Sequence, residues 1–178
     1  MIKSTLLFIT LALLSHGPAR PQDQKDVLGD IERAITSNGS DWDCTRLYES
    51  VGVPAKDAPR GVSYHFQCKR RKQIIHGEIF YGESKREAVR MLEWSQSILQ
   101  INESKALEGV GDGAYRYAKN GAAWITFCKA NVFGQLNVSL VDPRKVDADA
   151  PETEGYTTEA AEVAHWFAQQ IAEQIPAS

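Results

Sequence analysis

Two histidines and a glutamate come closest to a metal-binding set in this 178-residue chain. His65 and His76 lie in two neighbouring segments that alternate between apolar and polar residues as strands do, and Glu78 follows two positions later. If Arg70 and Arg71 form the connecting turn, the hairpin places His65 directly opposite His76. Imidazoles and a carboxylate can hold zinc or copper. The alternative is the solvated polar face of a half-buried sheet, which we favour because the spacing fixes no third ligand.

A group of aromatic side chains is the second candidate, and it indicates binding rather than catalysis. Asn120-Gly121 is typical of a two-residue hairpin turn. Exposed aromatic clusters mark binding surfaces, unless the N-terminal helix or the acidic segment 142–156 covers them. With the turn setting the register, the outer face of a three-stranded meander carries Tyr115, Tyr117, Trp124 and Phe133.

The glycine-dense segment Gly109–Gly113 resembles two catalytic motifs without completing either. Gly109-Val110-Gly111-Asp112 matches an aspartyl motif of intramembrane proteases, but that chemistry needs a second catalytic Asp and several membrane helices. A phosphate loop would need a later Lys and a following helix. We expect a tight turn in which the glycines adopt positive φ and Asp112 caps backbone amides.

The sequence predicts no cofactor. A small hydrolase with a cleft near Gly109–Tyr115 is an alternative, although no Gly-x-Ser-x-Gly elbow or other nucleophile motif accompanies it.

The start of the chain predicts export. Lys3 precedes an apolar run, Thr5–Leu14, and small residues follow up to Ala19, which is typical of a secretory signal peptide. The run is shorter than the roughly 20 apolar residues of a membrane anchor. We therefore expect residues 1–22 to be removed, leaving one domain, 23–178, that is periplasmic or secreted and has no transmembrane anchor. The net charge of −3 gives no electrostatic reason to expect nucleic acid as a partner.

Hydrophobic periodicity predicts an α+β fold. We expect a two-layer arrangement of a mostly antiparallel sheet of about five strands with two to three helices on one face; two strand-strand-helix units are a further option. Residues 44–50 are expected as a short helix or turn, and 142–156 as a surface loop. The predicted helices cover 26–36, 85–101 and 158–174, and the predicted strands cover 62–69, 73–81, 114–119, 122–129 and 133–141.

Several short motifs occur in order along the chain. They are Cys44-x-x-Leu47, Val51-Gly52-Val53-Pro54, a strand cysteine at Cys68, and Gly109-x-Gly111-Asp112-x-Ala114-Tyr115, before a strand pair and an amphipathic helix. This order resembles that of small exported bacterial lipoproteins of unknown function and of the related extracellular sensor domain of a bacterial receptor kinase. The chain lacks the lipid-attachment cysteine of such lipoproteins.

The resemblance implies a disulfide between Cys44 and Cys68. The strand pattern agrees, because alternation places Cys68 and Cys128 on opposite faces of the sheet, where disulfide geometry fails. Cys128 is then a free thiol. The function predicted from the sequence is a non-catalytic exported module that binds an unidentified protein or small ligand. The hydrolase is the first alternative, and a metal-binding protein using His65, His76 and Glu78 is the second.

Overall fold

The computed structural model describes residues 22–37, 41–50, 59–71, 73–99, 104–139 and 151–177. The predicted signal peptide, 1–22, lies outside these ranges except for its last residue, and most of the predicted surface loop 142–156 lies outside them too. The helices are α1 (Gln22–Thr36), α2 (Lys85–Leu99) and α3 (Pro151–Glu173). The strands are β1 (Asp43–Cys44), β2 (Tyr48–Ser50), β3 (Gly61–Arg70), β4 (Gln73–Gly82), β5 (Lys105–Ala106), β6 (Gly113–Lys119), β7 (Ala122–Lys129) and β8 (Val132–Ser139).

The α+β class is as predicted, but the sheet is larger. It has eight antiparallel strands instead of about five, in the order β1-β3-β4-β8-β7-β6-β5, with β2 also paired to β3. None of the helices in the described part of the chain combines the length and apolar character that crossing a bilayer requires.

One face of the sheet is closed by α1 and α3 and holds the main core. Along β7, the side chains of Ile125 and Phe127 are fully buried on this face. Phe127 lies over Gly134 of β8 and Phe66 lies over Gly77 of β4, both as direct cross-strand partners. A Cβ added to Gly134 would stand 2.3 Å from the Phe127 ring, so these glycines are required by close packing.

The helices do not all lie on one face, which corrects the two-layer prediction. α2 packs on the opposite face, where Ala88, Met91 and Leu92 cover Phe80 and Phe133. The fold therefore has three layers, because both faces of the central strands carry apolar residues at this end.

Nor are β3-β4-α2 and β7-β8-α3 two equivalent units. If the two units were equivalent, a twofold rotation would exchange β3 with β7 and β4 with β8. In the strand order β3-β4-β8-β7 its axis is perpendicular to the sheet, so it would place both helices on the same face. Their helices lie on opposite faces.

The β3–β4 hairpin forms with a different register from the predicted one. Arg70 pairs with Gln73, so the turn lies one residue later than expected, and Arg71 in it has a φ of 55°. Moving a turn by one residue moves every partner by two, which preserves the face of each side chain. His65 is consequently opposite Glu78 instead of His76.

Two other segments differ from the predictions. Residues 44–50 contain parts of two short strands, β1 and β2, which extend the sheet beyond β3 instead of forming a helix or turn. Helix α3 begins at Pro151, so 151–156 is helical; proline is tolerated in a first turn, and Glu152 and Glu154 suit the positive end of the helix dipole. The predicted disulfide is present: Cys44 and Cys68 are cross-strand partners with a Cα–Cα distance of 4.0 Å.

Candidate functional site

The face of the sheet that carries α2 is only partly covered, and its remaining side chains form two rows across the strands. The first row, which we call the edge row, runs beside α2. It contacts that helix where Ser95 donates a hydrogen bond to Gln135 Oε1 at 3.3 Å. Ser63 donates to Glu78 Oε1 at 2.7 Å. In strand order the edge row contains Tyr48, His65, Glu78, Gln135, Thr126 and Tyr115.

The second row, which we call the outer row, lies one pleat farther from the α2 cover. The Gln67 amide nitrogen is 3.2 Å from His76 Nδ1. The rings of Tyr117 and Trp124 have centroids 5.5 Å apart and planes inclined by 43°. In strand order the outer row contains Gln67, His76, Asn137, Trp124 and Tyr117. All five side chains retain access to solvent, and that of His76 is exposed.

The four aromatic residues singled out from the sequence share this face but not its environment. Tyr117 and Trp124 form the aromatic end of the outer row, and Tyr115 lies in the edge row, partly packed on the small core beneath α2. Phe133 is fully buried in that core. Phe133 therefore has a packing role and no surface with which to touch a ligand. The cover that buries it is α2, which the sequence analysis placed on the other face.

His65, His76 and Glu78 lie on one face of the sheet, but their side chains do not converge on a common position where a metal ion could bind. Glu78 lies opposite His65, whereas the partner of His76 is Gln67. Among the described residues, no group of three or more His, Cys, Asp or Glu side chains is arranged to hold a metal ion. His76 instead contacts an amide, which makes it part of a hydrogen-bonding surface.

The glycine-dense segment Gly109–Gly113 is a tight turn, as predicted from the sequence. Gly109 and Gly111 have φ values of 78° and 62°. A Cβ on Gly111 would come within 2.4 Å of the Cys128 carbonyl oxygen. The Asp112 carboxylate accepts a hydrogen bond from the Ala130 backbone N–H at 3.1 Å and pairs with the Lys85 ammonium at 2.8 Å. Asp112 thus joins the start of α2 to the β7–β8 turn.

The charges at this turn shift the pKa values of its groups. The hydrogen bond from Lys85 lowers the pKa of the Asp112 carboxyl; partial burial opposes the shift and the Ala130 amide adds to it. The same hydrogen bond raises the pKa of Lys85. Burial, followed by the Asp112 charge, raises the pKa of the Cys128 thiol. Cys128 is a free, buried cysteine, and a protonated buried thiol is a poor nucleophile. These are properties of a structural contact and not of an activated catalytic group.

Two of the three polar residues of the outer row were not identified from the sequence. Gln67 and Asn137 are ordinary polar residues at outward positions of strands, and neither belongs to a motif. The signal that could have identified them is register, because one pleat aligns Gln67, His76 and Asn137 across three strands. The register predicted for β3–β4 pairs each residue of β3 with a residue of β4 two positions away from its true partner, so it does not produce that alignment.

Comparisons with known proteins give a weak structural likeness. No family model and no curated protein matches the sequence. A crystal structure of the extracellular domain of PknH from Mycobacterium tuberculosis matches with a TM-score of 0.49 and 8% identity, over 90% of this chain and 98% of that chain. A GTP binding regulator from Thermotoga maritima matches with a TM-score of 0.39 and 14% identity, over 75% of this chain and 86% of that chain. The first is an extracellular domain, as the resemblance in the sequence suggests, but the similarity is too weak to carry any functional argument.

Proposed function

We propose that this protein is an extracytoplasmic, non-catalytic binding module whose ligand lies across the outer row. The observation that carries the proposal is the continuity of that row: amide, imidazole, amide and two aromatic rings are contributed by five adjacent strands. A rigid sheet holds such side chains in fixed positions, which lowers the entropy lost on binding.

The chemistry of the outer row favours a neutral ligand rich in hydroxyl groups, such as a glycan. The row contains no carboxylate, ammonium or guanidinium group. Amides both donate and accept hydrogen bonds, as hydroxyl groups do. The faces of Tyr117 and Trp124 supply an apolar platform beside these polar groups, which suits the C–H face of a sugar ring.

The disulfide supports the proposed location. Cys44 and Cys68 are bridged, and disulfides form and persist chiefly in oxidising compartments outside the cytosol. Export of the chain and cleavage of residues 1–22 are part of the proposal.

The test is a titration of the purified exported protein with neutral oligosaccharides of glucose, mannose and N-acetylglucosamine, followed by tryptophan fluorescence and NMR. We expect at least one to bind with a Kd between about 1 μM and 1 mM, the range in which weak specific complexes lie. Trp124→Ala and Asn137→Ala should each weaken that binding by about tenfold or more, since each 1.4 kcal/mol is a factor of ten.

Trp166→Ala is the matched control, because Trp166 is a 36% exposed tryptophan on α3, on the other side of the sheet. It should bind like the unmodified protein. The proposal fails if none of the oligosaccharides binds, or if Trp166→Ala loses as much affinity as Trp124→Ala.

A further inference from the structure

A groove of about 620 Å³ lies between the edge hairpin β5–β6 and helix α3. Its size falls within the range of small-molecule sites. Arg116 and Ala118 reach it from β6, on the face opposite to Tyr115, and Thr158 and Glu162 reach it from α3. Tyr117 of the outer row also lines the groove, so the two sites meet at β6, but the charged groups of the groove, Lys105, Arg116 and Glu162, lie outside the outer row.

One wall of the groove carries two positive charges at close quarters. Lys105 and Arg116 are direct cross-strand partners, so their side chains emerge side by side on one face. Like charges placed directly opposite one another destabilise a strand pair. Neither forms an ion pair with any acidic group in the described ranges. The hairpin therefore carries a local charge that the described fold leaves uncompensated.

The opposite wall carries a negative charge that does not neutralise the first two. Glu162 lines the same groove from α3, yet it forms no salt bridge within the part of the chain that the structure describes. It therefore lies more than a salt-bridge distance from Lys105 and Arg116. Positive and negative groups face one groove with room between them.

The shape of the groove is fixed by a contact at its rim. The Thr157 hydroxyl accepts a hydrogen bond from the Gly121 backbone N–H at 2.8 Å and donates one to the Thr153 carbonyl oxygen at 2.7 Å. This links the β6–β7 turn to α3, so the two walls are held together before any ligand arrives. Preformed sites of this kind lose less entropy on binding.

We propose that this groove binds a free amino acid or a short peptide through its amine and its carboxylate. The Arg116 guanidinium is suited to a two-pronged hydrogen bond with the carboxylate, and Lys105 adds a second positive charge there. Glu162 accepts the ammonium group. A plain anion would gain the same cations but would be repelled by Glu162, so the arrangement favours a ligand with both charges.

The test screens the full purified protein by NMR against each common amino acid and each glycyl dipeptide, at concentrations up to about 10 mM, with Kd values from the titrations. The best binder is then compared with its N-acetylated form and its C-terminal amide. We expect each blocked form to bind about tenfold or more weakly, a loss of about 1.4 kcal/mol. Glu162→Gln should remove the preference for a free amine only, and Arg116→Gln the preference for a free carboxylate only.

Two substitutions outside the groove serve as controls. Glu154→Gln removes an exposed carboxylate from the first turn of α3, and Lys119→Gln removes an exposed cation from the other face of β6. Both should retain the affinity and the preferences of the unmodified protein. The proposal is overturned if no amino acid or dipeptide binds, or if free and blocked forms bind equally. Loss of oligosaccharide binding would not bear on it, because none of the three charged groups that bind the ligand in this proposal belongs to the outer row.

Discussion

The two faces of the sheet are built from alternate residues of the same strands, yet they differ in how completely they are buried. On the face closed by α1 and α3, Ile125 and Phe127 of β7 are fully buried among apolar neighbours. On the other face, Cys128 lies beneath α2, Thr126 is at the border, and Trp124 reaches solvent. Because the first face supplies most of the apolar burial, the second is free to carry polar and aromatic side chains that the fold does not require. We therefore expect most of the stability to come from the first face and the proposed binding of a glycan to depend on the second.

The largest effect should come from removing Phe127. Phe127→Ala empties the space above Gly134 and should lower the free energy of unfolding by about 3–5 kcal/mol, as large-to-small changes in cores do. Trp124→Ala, three residues away in β7 and on the other face, should cost less than half as much because its ring is partly solvated already. Urea denaturation followed by circular dichroism measures both. Equal losses would contradict the assignment of stability to one face.

Gly134 sharpens the same test. Gly134→Ala places a Cβ 2.3 Å from the Phe127 ring, so overpacking should cost about 1–3 kcal/mol. In a Phe127→Ala background the same change should become neutral or stabilising, because the obstructing ring is gone and alanine restricts the unfolded chain. A penalty that persists there would mean that the backbone, and not the ring, requires glycine at this position.

The sequence predicts the elements well where local rules suffice. Asn120-Gly121 forms its turn with φ values of 52° and 75°, because both positions need the left-handed region that these residues tolerate. The β3–β4 turn lacks such a signal: Arg71 adopts a φ of 55° in a run of four basic residues, and composition cannot show which pair forms the turn.

The arrangement of layers was harder to predict than the elements. The helical spacing of apolar residues identifies the apolar face of α2 from the sequence. That spacing does not show which face of the sheet the helix covers. Phe80 and Phe133 decide that, and each has a polar neighbour, Glu78 or Gln135, two positions along the same strand face. For the same reason the buried Phe133 was grouped with the exposed aromatic residues, and the outer row was only half identified.

The second-largest effect should come from the disulfide, which ties β1 to β3 at one edge of the closed face. The double substitution Cys44→Ser and Cys68→Ala should lower the free energy of unfolding by about 2–4 kcal/mol. Their sequence separation is 24, so the loop released in the unfolded chain is of moderate length. Denaturation of the variant, compared with Cys128→Ala, measures the effect. A variant as stable as the unmodified protein would show that β1 contributes nothing to that face.

The smallest effect concerns pH and distinguishes how each face is held. α1 and α3 are held mainly by apolar contacts, to which an Arg46–Glu32 ion pair and a hydrogen bond from Lys129 to the Ala172 carbonyl oxygen add. The start of α2 depends more on charge. Asp112 pairs with Lys85 of α2, and Glu87 of α2 accepts a hydrogen bond from the Arg60 backbone N–H at 2.8 Å. The hydrogen bond from Arg60 lowers the pKa of Glu87, against the opposing effect of burial, and Arg90 adds to the lowering.

A carboxyl whose pKa is lowered by folding stabilises the folded state at neutral pH, and that contribution disappears as the pH falls through the lowered pKa. Acid should therefore weaken the attachment of α2 below the ordinary pKa values of 3.8 for Asp112 and 4.5 for Glu87. Cys128 reports this directly, because it is the buried thiol beneath α2. Relative to a small free thiol at the same pH, its reaction with dithiodipyridine should accelerate by about tenfold before the circular dichroism of the sheet changes, as local opening predicts.

Asp112→Asn removes one titrating group from this attachment. Its Tm at neutral pH should fall by roughly 1–3 °C, the size expected for a surface ion pair in a chain of this length. Its thiol reactivity should also depend less steeply on pH, whereas Glu154→Gln, in the first turn of α3, should leave that pH dependence unchanged. If thiol exposure follows global unfolding at every pH, the two covers of the sheet open together. The contrast between a face held by apolar packing and a face held partly by charge would then be wrong.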